Sequence, residues 1–386
     1  MTRKTFLPFS PPSISEDEIK EVVDTLRSDW LTTGPKTKRF EEAFRERLGS
    51  PAALALNSCT AALHLGLAAL GVGKGDEVIT TTMTFAASVN IIEHLGGRPV
   101  LVDVEPDTLN IDPAQVEEKI TTRTKAILPV HFAGHPAAMD QIFELAGDNN
   151  LGVLEDAAHA LPAVYRGKAI GSGDNPAAFS FYATKNLTTA EGGMLTGSEE
   201  LLEQARVLSL HGMSRDAWKR YEQGGSWYYE VVSPGYKYNM TDIQAALGLH
   251  QLRRLEGFQR RRREVVRTYN DAFSGCEALE LPVERAEVEH AWHLYVLRLR
   301  PEALTIDRDQ FIRELESRNI GTSVHFIPVH LHPYYRDKYG YAAGDFPVAY
   351  ENYRRLLSLP LSPRLTDEDL ADVIEAVLQV VKRNWR

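Results

Sequence analysis

The chain has 386 residues, 43% hydrophobic and 25% charged, with a formal net charge of −10. That length exceeds what one hydrophobic core usually fills, so two domains are expected, and the apolar fraction excludes a disordered chain. The acidic balance excludes broad nucleic-acid binding, which needs many Lys and Arg against phosphates, and no run nears the ~20 apolar residues that span a bilayer.

Cys59 and Cys276 lie far apart and form neither a CxxC motif nor a disulfide framework, which suits a reducing cytoplasm. The N-terminal stretch is broken by Pro8, Pro11 and Pro12 and lacks the apolar centre of a secretory signal. Ser15 and Glu18 form a capping box that opens an amphipathic helix to about Leu26, and Phe40 to Leu48 reads as a second helix stopped by Gly49. Strands and helices then alternate: Ala52 to Leu56 (strand), Thr60 to Leu70 (helix), Glu77 to Thr81 (strand), Phe85 to Leu95 (helix), Pro99 to Val104 (strand). The pattern continues through Ala126 to Phe132, Met139 to Asp148, Gly152 to Glu155 and Ala177 to Tyr182. Such alternation predicts an α/β fold with a mostly parallel central sheet, whose ligands sit at the carboxyl ends of its strands.

Past residue 240 the texture changes. A long helix begins at Thr241, with Gln244 completing a second capping box, and runs through the basic run Arg260 to Arg263, which reads as a solvated face, towards Phe273. Extended segments at His293 to Leu299 and Thr322 to Phe326, and helices at Asp307 to Arg318 and Thr366 to Arg383, indicate a smaller α+β domain. The expected division is 1–250 for a large domain and 251–386 for a small one. Gly71 to Asp76 superficially resembles a phosphate loop, but it comes after a helix and precedes a strand, so it reads as a helix C-cap and turn.

Three segments at predicted strand ends carry chemistry. Strand Ala52 to Leu56 runs into Asn57-Ser58-Cys59-Thr60-Ala61, where the free N–H groups of a new helix can bind an anion, although an ordinary N-cap looks the same. Asp156 ends the Gly152 strand ahead of Ala157-Ala158-His159; a buried carboxylate there needs a partner, unless it merely caps the next helix. Ser180 and Lys185 lie on and after the Ala177 strand, and a partly desolvated lysine has a lowered pKa suited to attack on a carbonyl. Together these meet the needs of one cofactor, pyridoxal 5′-phosphate (PLP): a lysine for the aldehyde, a carboxylate for the pyridine nitrogen and an anion site for the phosphate. Asp156 and Lys185 are 29 positions apart, enough for one crossover between strand ends.

The strings TGPKTKRFE, NSCTAALHLGLAALGVGKGDEVITT, EDAAHA, FSFYATKNLTTAEGGM and PGYKYNMTDIQAALGLHQL resemble those of the DegT/DnrJ/EryC1/StrS family of sugar aminotransferases, over nearly the whole chain. The resemblance implies a PLP-dependent transferase of the aspartate-aminotransferase type, fold type I. By it, Lys185 takes the cofactor's aldehyde and is the catalytic residue, Asp156 pairs with the pyridine nitrogen, and His159 lies near the ring hydroxyl. Thr60, Ala61 and Ser180 would hold the phosphate, and Phe85 in TTMTFAAS would stack on the ring. Asn239 matches a loop that reaches the neighbouring subunit's cofactor; the chain reads GYKYNM where many members read GYNYRM, which leaves Lys237 and Asn239 both open for that contact and implies a homodimer with shared sites. The stretch His325 to His332 has no adjoining acidic or Cys ligand and is not expected to bind metal; the resemblance puts it near the site mouth, which assigns His325 and His330 to substrate contact.

The implied activity is transfer of an amino group from glutamate, which leaves as 2-oxoglutarate, to a nucleotide-linked keto sugar. TTAEGG, HGMSRDAW and GYKYNM resemble the branch that acts at carbon 4 of a UDP-linked 4-keto sugar for lipid A or surface polysaccharide, with amination at carbon 3 as the alternative. Related dehydratases carry histidine where this chain has Lys185, and a PLP-binding regulator would need a DNA-binding element that the sequence lacks.

Overall fold

The computed structural model describes residues 3–213 and 228–386, so residues Ser214 to Trp218 of HGMSRDAW lie outside the described part. Helix α1 (Glu16–Arg27) starts at the expected box: Ser15 N–H donates to Glu18 Oε2 at 2.9 Å. Helix α2 (Pro35–Leu48) starts earlier than its apolar pattern because Asp242 accepts from the N–H groups of Gly34, Lys36 and Thr37 and so caps it from a distance.

The alternating region forms β1 (Ala52–Leu56), α3 (Cys59–Ala69), β2 (Glu77–Thr81), α4 (Ala87–His94), β3 (Arg98–Val102), α5 (Pro113–Lys119), β4 (Thr124–Leu128) and α6 (Met139–Asp148). The single strand expected at Gly152 to Glu155 is two short pieces, β5 (Gly152–Val153) and β6 (Glu155–Asp156). After the ribbon strands β7 (Val164–Tyr165) and β8 (Lys168–Ala169) come β9 (Ala177–Ser180), β10 (Gly193–Gly197) and α7 (Glu199–Ser209). Two four-stranded sheets, β3-β2-β4-β5 and β6-β9-β10-β1, are joined where Val130 bridges Asp156 in parallel. β10 runs antiparallel to both neighbours and the remaining strand pairs are parallel. The turn-like Glu191-Gly192-Gly193 conceals β10, because glycines mask its apolar run.

Strand side chains alternate between two cores. Ala53, Ala55, Ile79, Ile127 and Phe179 enter one core with α2 and α6, while Leu54, Leu56, Val78, Leu128 and Ala178 enter the other with α3 and α7. A sheet buried on both faces is the arrangement parallel strands require.

Helix α8 (Asp242–Phe273) passes through residue 250 without interruption. Leu249, Leu252 and Leu255 belong to the large-sheet core, whereas Val265, Val266, Tyr269 and Phe273 belong to a second core with Leu7. The N-terminal segment thus packs with the C-terminal lobe, where Leu7 bridges Ile320. That lobe holds the antiparallel sheet β11 (Leu279–Glu280), β13 (Tyr295–Leu299) and β14 (Leu356–Leu359), while β12 (Val288–Glu289) pairs with β7. Its helices are α9 (Arg308–Glu316), α10 (Pro333–Tyr339), α11 (Pro347–Arg355) and α12 (Asp367–Arg383).

The basic run is not uniformly a solvated face. Arg262 is fully buried and its Nη1 donates to the carbonyls of Trp292, His293 and Leu361 at 3.1, 3.3 and 3.1 Å. Among the described residues no helix is long and apolar enough to cross a membrane.

Candidate active site

The carboxyl ends of β1, β2, β6 and β9 and the start of antiparallel β10 meet at one edge of the sheet, where a cavity of about 520 Å³ opens. Lys185, Asp156, His159, Thr60, Phe85, Ser180 and His325 all line it. Lys185, Asp156, Thr60, Ser180 and Phe85 converge there because each sits at or just beyond the end of a strand in the two joined sheets, while His325 reaches the cavity from the C-terminal lobe.

Asp156 ends β6 and is almost fully buried. Its Oδ2 accepts from Ser88 Oγ at 2.7 Å and its Oδ1 from the Ala158 N–H at 3.1 Å. Burial raises its pKa, against the Ser88 and Ala158 hydrogen bonds and the Lys185 charge. Lys185 stands in the turn after β9, its N–H bonded to the Tyr182 carbonyl at 2.9 Å. Burial pushes its ammonium down to about 8, against the pull of Cys59 and Asp156. An amine with that pKa is partly unprotonated near neutrality and therefore nucleophilic.

A wall of imidazoles faces the lysine. His159 stacks on Phe326 at 5.7 Å and lies 4.4 Å from the His293 ring. Burial first, then the Lys185 charge, lowers the pKa of His159, His293 and His325, the last to about 4. His159 Nδ1 is buried without a hydrogen-bond partner, so a neutral ring holds an unsatisfied polar atom beside the cavity.

The anion cradle is built by three strands in register. Leu56, Gly193 and Ser180 pair across β1, β10 and β9. Gly193 lacks a side chain where a Cβ would come 2.5 Å from Cys59 N and from the carbonyl of Ser58, so β10 presses directly against the first turn of α3. Ser58 caps that helix, its Oγ accepting from the Ala61 N–H at 3.1 Å. The first-turn N–H groups of Cys59 and Thr60 have no carbonyl within the helix to bond and are left for an anion.

Ala61 donates its N–H to Ser58 Oγ and is buried at the start of α3, while Ser58, Cys59 and Thr60 line the cavity. His330 is fully buried outside the cavity lining, with Nδ1 2.7 Å from Thr82 Oγ1 and its ring against Phe346. His325 does line the cavity, its Nδ1 2.9 Å from Ser358 Oγ. Phe85 is 64% exposed and 6.1 Å from the Phe326 ring, which sets it apart from a core residue.

Asn239 lies away from this chain's cavity lining. It bridges Leu56, and its Nδ2 donates to Thr33 Oγ1 at 2.7 Å; the neighbouring Lys237 carbonyl accepts from Asn57 Nδ2 at 3.3 Å. Sequence reasoning missed Ser88, Thr84, Tyr182, Glu191, His293 and Phe326, which also line the cavity. The four-residue spacing of Thr84 and Ser88 across the start of a helix was the available signal for two of them; His293 and Phe326 come from the other lobe and left none.

The donor set fits PLP: an activated lysine, a buried carboxylate held by neutral donors, an orphaned ring nitrogen and a side-chain-free cradle at a helix start share one cavity. Among the described residues no group of three or more His, Cys, Asp or Glu could hold a metal ion. A family model described as the DegT/DnrJ/EryC1/StrS aminotransferase family matches residues 12–378. The spore coat polysaccharide biosynthesis protein SpsC of Bacillus subtilis is 54% identical over 382 residues, 98% of each chain. The protein named as sugar aminotransferase Spr1654 from Streptococcus pneumoniae, in its PLP-form, superposes with a TM-score of 0.91 at 38% identity, covering 98% of this chain and 99% of that one. Helicobacter pylori PseC, an aminotransferase involved in the biosynthesis of pseudoaminic acid, gives a TM-score of 0.90 at 30% identity, over 98% of this chain and all of that one. With the motifs, the fold and the site in agreement, the chain belongs to the DegT/DnrJ/EryC1/StrS aminotransferase family, with PLP as its cofactor.

Proposed function

We propose that the protein moves an amino group from glutamate to carbon 4 of a UDP-linked 4-keto sugar, for surface polysaccharide or a related glycan, acting in the cytoplasm as a homodimer. The observation that carries the reading is that Lys185 and Asp156 open into the same cavity as the first turn of α3. The names of SpsC and PseC support a sugar product, and TTAEGG and GYKYNM support the carbon-4 branch.

When bound, PLP supplies an aldehyde for amines and a cationic ring that absorbs an electron pair. Lys185 would hold the aldehyde, and its amine, when free, is the group that would carry a proton between the amine-bearing carbon of the donor and the former aldehyde carbon. Asp156 keeps a proton on the ring nitrogen. Thr60, the N–H groups of the α3 start and Ser180 bind the phosphate, and Phe85 covers the ring face. His159, neutral because of burial, orients the ring through its free nitrogen. His325 and Phe326 form the wall that excludes water and meets the sugar. Either Lys237 or Asn239 of one subunit completes the neighbouring site.

The test is a screen of UDP-, dTDP- and GDP-linked keto sugars with glutamate, read by product mass. A gain of one amino group on a UDP-linked 4-keto sugar, lost in Lys185→Ala, is expected. Turnover by Lys185→Ala, or amination confined to other sugars, would overturn the reading.

A further inference from the structure

We propose that Ser88, with Thr84 behind it, is a positioning residue that keeps the Asp156 carboxylate ionised and turned towards the ring nitrogen. This rests on the reading that Asp156 meets that nitrogen. Ser88 stands in the first turn of α4 and Thr84 three residues before that helix; both are buried and line the cavity. Ser88 has one proton. Its Oγ is 2.7 Å from Asp156 Oδ2 and 3.3 Å from the Phe85 carbonyl, so the shorter bond to the carboxylate takes it. Thr84 Oγ1 lies 2.8 Å from Ser88 Oγ, and with Ser88's proton committed, Thr84 must be the donor of that pair. The result is a directed relay, Thr84 to Ser88 to Asp156, in which each hydroxyl polarises the next.

The relay decides where one proton rests. In a buried site a carboxylate beside a protonated pyridine competes with a neutral pair in which the acid holds the proton. Donors to the carboxylate favour the charged pair. Lys185 and His131 favour it through charge alone, whereas among the described residues Ser88 and the Ala158 N–H donate to it. Loss of Ser88 leaves Oδ2 bare, so the proton moves from the ring towards Asp156 and the ring absorbs electrons less well.

The experiment loads each variant with PLP labelled with 15N in the ring and reads the ring-nitrogen shift by NMR, alongside bleaching kinetics with glutamate. Ser88→Ala should move the shift towards the unprotonated value and slow bleaching at saturation about tenfold, with little change in the glutamate concentration for half-maximal rate. Ser88→Thr should restore the shift, and Thr84→Val should fall between. A wild-type shift in Ser88→Ala, with a changed shift in Asp156→Asn, would overturn the relay alone. A wild-type shift in Asp156→Asn would overturn the assignment of Asp156 to the ring nitrogen. If Ser88→Ala fails to fold, Thr84→Val decides: an unaltered shift there refutes the relay.

Discussion

Gly193→Ala is the perturbation that most directly tests how the anion cradle is built. A Cβ at 193 would stand 2.5 Å from the backbone of Ser58 and Cys59, whereas carbon contacts settle near ~3.5–4 Å. β10 and the first turn of α3 must then separate by about 1 Å, an overpacking that typically costs about 1–3 kcal/mol. Backbone atoms cannot swing aside as a side chain would, and the register Leu56, Gly193, Ser180 ties the displaced strand to the Ser180 hydroxyl. If that strain is relieved by opening the cradle, PLP affinity should fall about 10- to 100-fold, at 1.4 kcal/mol per tenfold. The assay is a titration of apoprotein with PLP and, in parallel, with pyridoxal, which lacks the phosphate. PLP binding should weaken while pyridoxal binding holds. Equal losses for both ligands, or none for PLP, would refute a phosphate cradle pressed against Gly193. Gly257→Ala is the control: that glycine on α8 faces only the tip of Arg260 at 3.9 Å, so the change should stabilise the helix by about 0.5–1 kcal/mol.

The same geometry sets further outcomes. Because burial holds Lys185 at about 8, the rate at which apoprotein captures PLP should rise with pH up to about 8 and level off above it, in stopped-flow absorbance; a profile still rising towards 10 would contradict this. Glu18 is fully buried on α1; burial opposes its charge, but hydrogen bonds from Ser15, Arg254 and Gln251 hold its carboxyl at about 2, below an ordinary value of 4.5. A depressed carboxylate stabilises above its unfolded pKa, so the docking of α1 on α8 should be lost as pH falls from 4.5 through 2, and Glu18→Gln should flatten that acid limb in thermal melts. Arg262→Met strands three carbonyls and should cost about 3 kcal/mol, lowering Tm by several degrees; an unchanged Tm would count against its role. His325→Ala should raise the KM for the sugar, whereas His330→Ala should lower stability and leave KM alone. The reverse pattern would exchange their roles.

What the sequence alone determined was local or carried in contiguous strings. The capping pairs Ser15 with Glu18 and Thr241 with Gln244 mark helix starts because a cap needs only four neighbouring residues. Strands such as Ala52–Leu56 and Glu77–Thr81 stand out because their apolar runs are bounded by turn residues. Lys185 and Asp156 could be picked out because each sits at or just beyond the end of such a strand, and the sheet brings those ends to one edge.

Only the tertiary structure decided the rest. Arg262 looks like its charged neighbours, yet its angle on α8 buries it fully against the carbonyls of Trp292, His293 and Leu361. His330 and His325 share one histidine-rich stretch, but only His325 faces the cavity, because a one-sided surface is set by packing against Thr82 and Phe346 and not by composition. Ala61 stands beside Thr60, yet the Ser58 cap takes its N–H. Ser88 belongs to a string read for its phenylalanine, and its role depends on a carboxylate 68 positions away. Hydrogen bonds between distant segments leave no periodicity in the chain, so the residues that tune the site emerge only when the sheet has brought their partners within reach.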